Sequence, residues 1–190
     1  YTIGKASRLC PEAPAPVLIS NETSCYLGGA ANVAVNIKNI GGQVTLAGVV
    51  GKDNEGDLLH KMLKQKDIPA VLGVDASRPT TVKQRVGTKE QLVVRLDREQ
   101  TRDISPGIFH DILKLVTVLL EDVKLVAISD YGKGVVTEEL MATVCEICSA
   151  KKIPVFVDPK GINFSKYRGA DVIKPNFVTM EAFYGREILN

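Results

Sequence analysis

A chain of 190 residues with 45% hydrophobic and 24% charged side chains is long enough to bury the core of one ordinary domain and has the balance of a globular protein. Its 24 Lys and Arg stand against 22 Asp and Glu, a formal net charge of +2, and no basic block is interleaved with aromatics, so nucleic acid is not an expected partner. No apolar stretch approaches the roughly 20 residues that span a bilayer, and residues 1–16 lack the charged-then-apolar layout of a signal peptide. A cytoplasmic protein without a membrane partner is the expectation.

Along the chain, Pro11, Pro14 and Pro16 predict an extended lead into a strand over 16–20, with a second strand over 23–27. The run Gly28-Gly29-Ala30-Ala31-Asn32-Val33-Ala34 then opens a helix-like stretch over 30–40. A helix start carries unpaired N–H groups and a partial positive charge, and glycine lets a ligand approach closely. Either this is a small-molecule site near Asn32, for an anionic or hydroxyl-rich ligand, or two glycines make a tight turn.

A strand over 44–50 and a helix over 55–66 follow, and then a β-rich pair over 80–86 and 91–96 joined by the turn-prone residues 87–90. Lys83 and Arg85 share one face of the first strand of that pair, and Arg95 and Asp97 share one face of the second. They either reach a phosphorylated substrate from above or form a solvated charged face. Periodicity then predicts helices over 108–120, 138–150 and 178–184, with short apolar strands over 125–128, 155–157 and 172–173.

Helices alternating with short apolar strands predict an α/β fold with a parallel sheet covered on both faces. The β-rich segments, about 16–27 and 80–96, read as a small β-lid. Residues 28–79 and 97–190 read as the α/β body.

In doubly wound sheets ligands bind beyond the carboxyl ends of the strands. The residues there are Ser129-Asp130-Tyr131-Gly132-Lys133-Gly134, Asp158-Pro159-Lys160-Gly161 and Lys174-Pro175-Asn176. Carboxylates such as Asp130 and Asp158 can bind sugar hydroxyls, and Lys133 and Lys160 can bind phosphate as point charges. One such loop is an ordinary solvated turn, but three that converge favour a site. Cys10, Cys25, Cys145 and Cys148 are too scattered for a disulfide framework, and the Cys145–Cys148 pair, inside a helical run and without a second such pair, reads as core packing rather than redox or metal chemistry.

The Gly28 to Ala34 run, with Gly41 and Gly51, resembles the first signature of the ribokinase-like (PfkB-type) carbohydrate kinases. The stretch Ser7-Arg8-Leu9-Cys10-Pro11-Glu12-Ala13-Pro14-Ala15-Pro16-Val17, the three loops above and Tyr167-Arg168-Gly169-Ala170 narrow the resemblance to the heptose 7-phosphate kinases of ADP-heptose synthesis. That resemblance implies a three-layer α/β/α ribokinase-like (Rossmann-like) fold with a β-lid, and ATP and Mg2+ as cofactors. It implies transfer of the γ-phosphoryl group to the anomeric hydroxyl of heptose 7-phosphate, with a product destined for lipopolysaccharide core assembly. It also implies that Gly29, Asn32, Lys83, Arg85, Asp130, Tyr131 and Lys160 contact the sugar phosphate and that Asn176 lies near the ATP phosphates and magnesium. Gly28, Arg95, Lys133 and Asp158 join the substrate-binding candidates from the loop and lid reading.

The family pattern places a first strand with acidic residues ahead of Tyr1 and, beyond Asn190, a GAGD-type loop whose Asp is the general base. On that pattern the fold is incomplete here, no catalytic residue is assigned, and the 190-residue chain is expected not to turn over ATP by itself. Thr179 stands where the family has Glu three residues after the Asn, and Glu181 is the nearest replacement. A homodimer through the lid is expected, because a small β-layer leaves an apolar face and edges to cover.

The alternatives are a ribokinase-like kinase for another sugar or a nucleoside, and a non-catalytic sugar-phosphate-binding module. A dinucleotide oxidoreductase is weaker, because no GxGxxG follows a strand. Leu46 and Asp53 also rule the segment up to Gly51-Lys52 out as a P-loop.

Overall fold

The computed structural model describes residues 1–185. Strands β1 (Thr2–Leu9) and β2 (Pro16–Thr23) open the chain, followed by α1 (Gly29–Asn39), β3 (Leu46–Val50), α2 (Asn54–Gln65), β4 (Ala70–Val74), β5 (Val82–Gly87) and β6 (Leu92–Arg98). After these come α3 (Pro106–Leu119), β7 (Val126–Ser129), α4 (Glu138–Lys151), β8 (Val155–Asp158), a 3-10 turn (Phe164–Tyr167), β9 (Val172–Ile173) and α5 (Phe177–Tyr184).

Two parallel sheets belong to the body. Strands β3 and β4 pair with Leu46 opposite Ala70, and β7, β8 and β9 lie side by side in that order, with Ser129 opposite Asp158. Because the three strands of the second sheet run the same way, the loops that follow them leave from one edge. The fourth strand, β4, has no counterpart among the expected strands. Its Ala-Val-Leu-Gly-Val run carries no alternation by which periodicity could mark it.

The remaining strands form one four-stranded sheet in the order β2-β1-β5-β6. Residues 2–9, for which no element was expected, form a full strand that pairs antiparallel with β2, Leu9 opposite Pro16. The segment 23–27, expected as the partner of 16–20, instead leaves the sheet after Thr23 and runs without regular structure to α1. The prolines at 11 and 14 interrupt the chain between two strand-forming runs, and Pro16 stands first in its strand, where a missing N–H is tolerated.

Helix starts are capped as their residue types dictate. Asp53 accepts from the Gly56 N–H, Ser105 from Ile108, Thr137 from Leu140 and Asn176 from Thr179. One buried cluster holds Leu27, Ala31, Ala34, Leu46, Leu63 and Ile68; a second centres on Met141, Val144, Val155, Val157 and Tyr167. Cys145 and Cys148 belong to the second cluster, and burial pushes both thiols up, as for inert packing residues.

Candidate functional site

The end of β7 is the centre of the arrangement. The buried carboxylate of Asp130 accepts from the Gly132 N–H at 2.7 Å through Oδ1, and from Lys166 Nζ at 2.6 Å and the Tyr167 hydroxyl at 2.8 Å through Oδ2. A carboxylate has about four lone-pair positions, so the free one sits on Oδ1. The Tyr167 hydroxyl in turn accepts from the Lys160 N–H at 3.0 Å. Burial, with the Asp130 carboxylate alongside, pushes that phenol up to about 12. Asp130, Tyr167 and the backbone of Lys160 therefore form one hydrogen-bonded wall across the ends of β7 and β8.

Against this wall lies the start of α1. Gly28 caps the helix in extended backbone, and Gly29 takes a positive φ of 56°. A Cβ on Gly29 would stand at ordinary contact distance, 3.6 Å, from the half-exposed Tyr131 ring, so it is the left-handed backbone rather than the space that favours glycine there. Asn32 is exposed on the first turn of α1. The stem of Lys160 runs under Gly132, and Asp158, exposed at the end of β8, accepts the Asp130 N–H through its carbonyl at 3.0 Å. Gly28, Gly29, Asn32, Asp130, Tyr131, Asp158 and Lys160 are thus brought to one region.

The basic candidates are engaged differently. Lys83 lies 2.7 Å from Asp97 and 3.0 Å from Glu99, and Lys133 lies 2.6 Å from the other oxygen of Glu99. Asp97 first and Glu99 second raise the Lys83 ammonium, and Lys133 followed by Lys83 hold the Glu99 carboxyl below its ordinary value. Arg85 stands opposite Arg95 in the β5–β6 register. Its guanidinium lies over the Tyr1 ring at 5.3 Å, and Arg95 forks onto Asp97 at 2.9 and 3.0 Å. Arg85 and Arg95 therefore meet groups of the four-stranded sheet itself. Asn176 and Glu181 sit apart, on α5 beyond β9, where the Asn176 amide oxygen accepts from the Thr179 N–H at 2.8 Å. Among the described residues no group of three or more His, Cys, Asp and Glu is placed to hold a metal ion.

Several positioning residues escaped the sequence. Beyond β4, the buried Asp75 and Arg78 pair at 2.8 Å, and Arg78 also donates to the carbonyls of Lys133 at 2.9 Å and Arg102 at 3.2 Å. This ties the segment after β4 to the loop after β7. The same loop passes residue 102 so closely that a Cβ on Gly134, φ 71°, would fall 1.8 Å from the Arg102 carbonyl oxygen. The Ser77 hydroxyl and N–H, together with Arg78, hold the Asp75 carboxyl below its ordinary value. Asp53 accepts from the Thr80 N–H and hydroxyl at 2.9 and 2.6 Å, and Arg98, the last residue of β6, pairs with Glu55 and Asp53. Recognition of β4 as a strand would have marked Asp75 and Arg78, since the residues directly after a strand end are the ones the fold rule singles out. No comparable signal marks Glu99.

The family described as pfkB family carbohydrate kinase matches residues 2–190. The bifunctional protein HldE of a Nitratiruptor species is 40% identical over 176 residues, 93% of this chain and 37% of that protein. The bifunctional protein HldE of Geobacter sulfurreducens is 40% identical over 187 residues, 97% of this chain and 38% of that protein. The chain thus spans well under half the length of these relatives.

Among solved structures, the tetrameric inhibited form of phosphofructokinase-2 from Escherichia coli superposes with a TM-score of 0.68 at 18% identity, over 100% of this chain and 62% of that one. A putative phosphofructokinase from Staphylococcus aureus gives a TM-score of 0.70 at 14% identity, over 100% of this chain and 59% of that one. At such identities the likeness establishes the ribokinase-like α/β fold. With the family match running from residue 2 to residue 190, the chain belongs to the pfkB family of carbohydrate kinases.

Proposed function

We propose that this chain carries the sugar-phosphate-binding part of an ATP-dependent kinase acting on heptose 7-phosphate at its anomeric hydroxyl, in ADP-heptose and lipopolysaccharide core synthesis. The observation that carries this reading is the Asp130 wall at the ends of β7 and β8 with the start of α1 against it, Lys133 in the loop after β7, and Lys83 joined to Lys133 through Glu99. Polar wall and helix start suit hydroxyls, and two lysines suit a phosphate. The resemblance to heptose 7-phosphate kinases supplies the sugar.

ATP and Mg2+ belong to the same proposal. Asn176 at the cap of α5 and Glu181 further along it are the residues offered to them. Mg2+ in kinases is held through one or two carboxylates together with the substrate phosphates, which suits a sparse donor set. Bound there, the ion supplies charge neutralisation for phosphoryl transfer. The Asp130 carboxylate, held by Lys166 and Tyr167, acts in this reading as a hydroxyl acceptor at its free Oδ1 position rather than as the base.

The exposed faces of the lid sheet carry a second part of the proposal, a homodimer, and the protein works in the cytoplasm. No helix among the described residues is long and apolar enough to cross a membrane.

Titration calorimetry with heptose 7-phosphate, unphosphorylated heptose and a panel of ribose, fructose 6-phosphate and nucleosides tests the reading. Preference for the heptose phosphate is the expected result. Binding of a nucleoside or of neutral sugars in its place would overturn it.

A further inference from the structure

Glu99 stands one residue beyond β6 and receives two lysines from different parts of the chain, one on each carboxylate oxygen. Lys83 comes from β5 to Oε2 at 3.0 Å, and Lys133 comes from the loop after β7 to Oε1 at 2.6 Å. Two ammonium groups bridged by two oxygens of one anionic centre is the arrangement that a phosphate monoester also makes. A phosphate brings about 1.5 to 2 negative charges where the carboxylate brings one.

The three side chains keep 22% to 32% of their surface open to solvent, so an incoming anion can reach the lysines and a released carboxylate can rehydrate. Lys83 has a second counter-charge in Asp97 at 2.7 Å, which stays with it through an exchange. Arg78 fixes the backbone carbonyl of Lys133, so that lysine's stem starts from a held position.

Resting on the reading that Lys83 and Lys133 face the phosphate of a sugar phosphate, we propose that Glu99 is a built-in placeholder for that phosphate. Its carboxylate holds the two ammonium groups together while the ligand is away and yields them to the ligand's dianion. A neutral sugar offers the lysines nothing in exchange for Glu99. The carboxylate thus competes only with the phosphorylated sugar, tempering its affinity and leaving that of an unphosphorylated sugar untouched.

The test compares the unsubstituted protein with Glu99→Gln, Glu99→Asp and Lys133→Met by calorimetry with heptose 7-phosphate and with unphosphorylated heptose. Glu99→Gln keeps the shape and loses the charge. It should bind heptose 7-phosphate about threefold to tenfold more tightly, the range set by two partly exposed ion pairs, and leave neutral heptose unchanged. Glu99→Asp keeps the charge and should retain the original affinity. Lys133→Met breaks the bridge from the other side and should weaken the phosphate ligand alone.

Unchanged or weaker heptose 7-phosphate binding by Glu99→Gln, with an unaltered melting temperature, overturns the placeholder and leaves the sugar-phosphate reading standing. Lys133→Met binding the phosphate as well as the unsubstituted protein overturns it as well, whatever the folding of the Glu99 variants. Failure of the unsubstituted protein to distinguish heptose 7-phosphate from heptose overturns the underlying reading and the placeholder together.

Discussion

The Tyr167 hydroxyl, on a side chain with no solvent exposure, donates to Asp130 at 2.8 Å and accepts from the Lys160 N–H at 3.0 Å, so one phenol joins the ends of two neighbouring parallel strands. Tyr167→Phe keeps the ring in the core and removes this link. It leaves the Lys160 N–H without that acceptor, and loss of a buried partner costs about 1 to 3 kcal/mol. The phenol's folded value, raised from 10.0 to about 12, favours its neutral form. That contribution is complete below about pH 10 and is lost as pH rises towards 12. Urea midpoints should therefore fall in the variant at pH 8, and its decline between pH 10 and 12 should be shallower than that of the unsubstituted protein.

Arg78 serves three acceptors from a buried position, Asp75 and the carbonyls of Lys133 and Arg102. Arg78→Ala strands a buried carboxylate and should lower stability by about 3 to 5 kcal/mol. Lysine in its place keeps the charge without the planar fork and should recover only part of the loss. The Asp75 carboxyl, held low chiefly by Ser77, adds stability that is present above about pH 4 and disappears as pH falls through its lowered value. Asp75→Asn should accordingly be less stable at pH 7 and show a flatter acid limb. Denaturant midpoints at pH 7 and pH 3 measure both effects.

On β6 the side chains of Val94 and Leu96 share one face, 42% and 54% exposed, and beyond the register shift Leu92 adds another apolar side chain, 55% exposed. An apolar strip on an outer strand calls for cover. Light scattering should give the mass of a dimer, and Val94→Lys should shift it to the monomer. A clean monomer for the unsubstituted chain is the contrary result.

Much of the body was legible because burial on one side imprints a helical period. The predicted helices over 30–40, 55–66, 108–120 and 138–150 fall within a residue or two of α1 to α4. The post-strand loops were legible from the same pattern, since a parallel sheet sends them to one edge. What escaped was set by contacts distant in sequence. Strand β1 is fixed by its pairing with β2 and β5, and Thr2 meets Val86 across 84 positions. Glu99 gains its meaning from Lys133, 34 residues on. Asp75 and Arg78 stayed hidden because β4 did, and a strand without alternation leaves no mark in the pattern.

Where β6 runs out, its last residue and the next one reach the body through charge, Arg98 to Glu55 and Asp53, and Glu99 to Lys133. Ionic pairs open to water weaken as salt shortens the reach of their fields, whereas the apolar clusters beneath are nearly indifferent to it. The stiffness with which the outer sheet is carried is thus set by the surrounding medium. A dilute buffer and a concentrated one hold the same fold at different tension across a single joint.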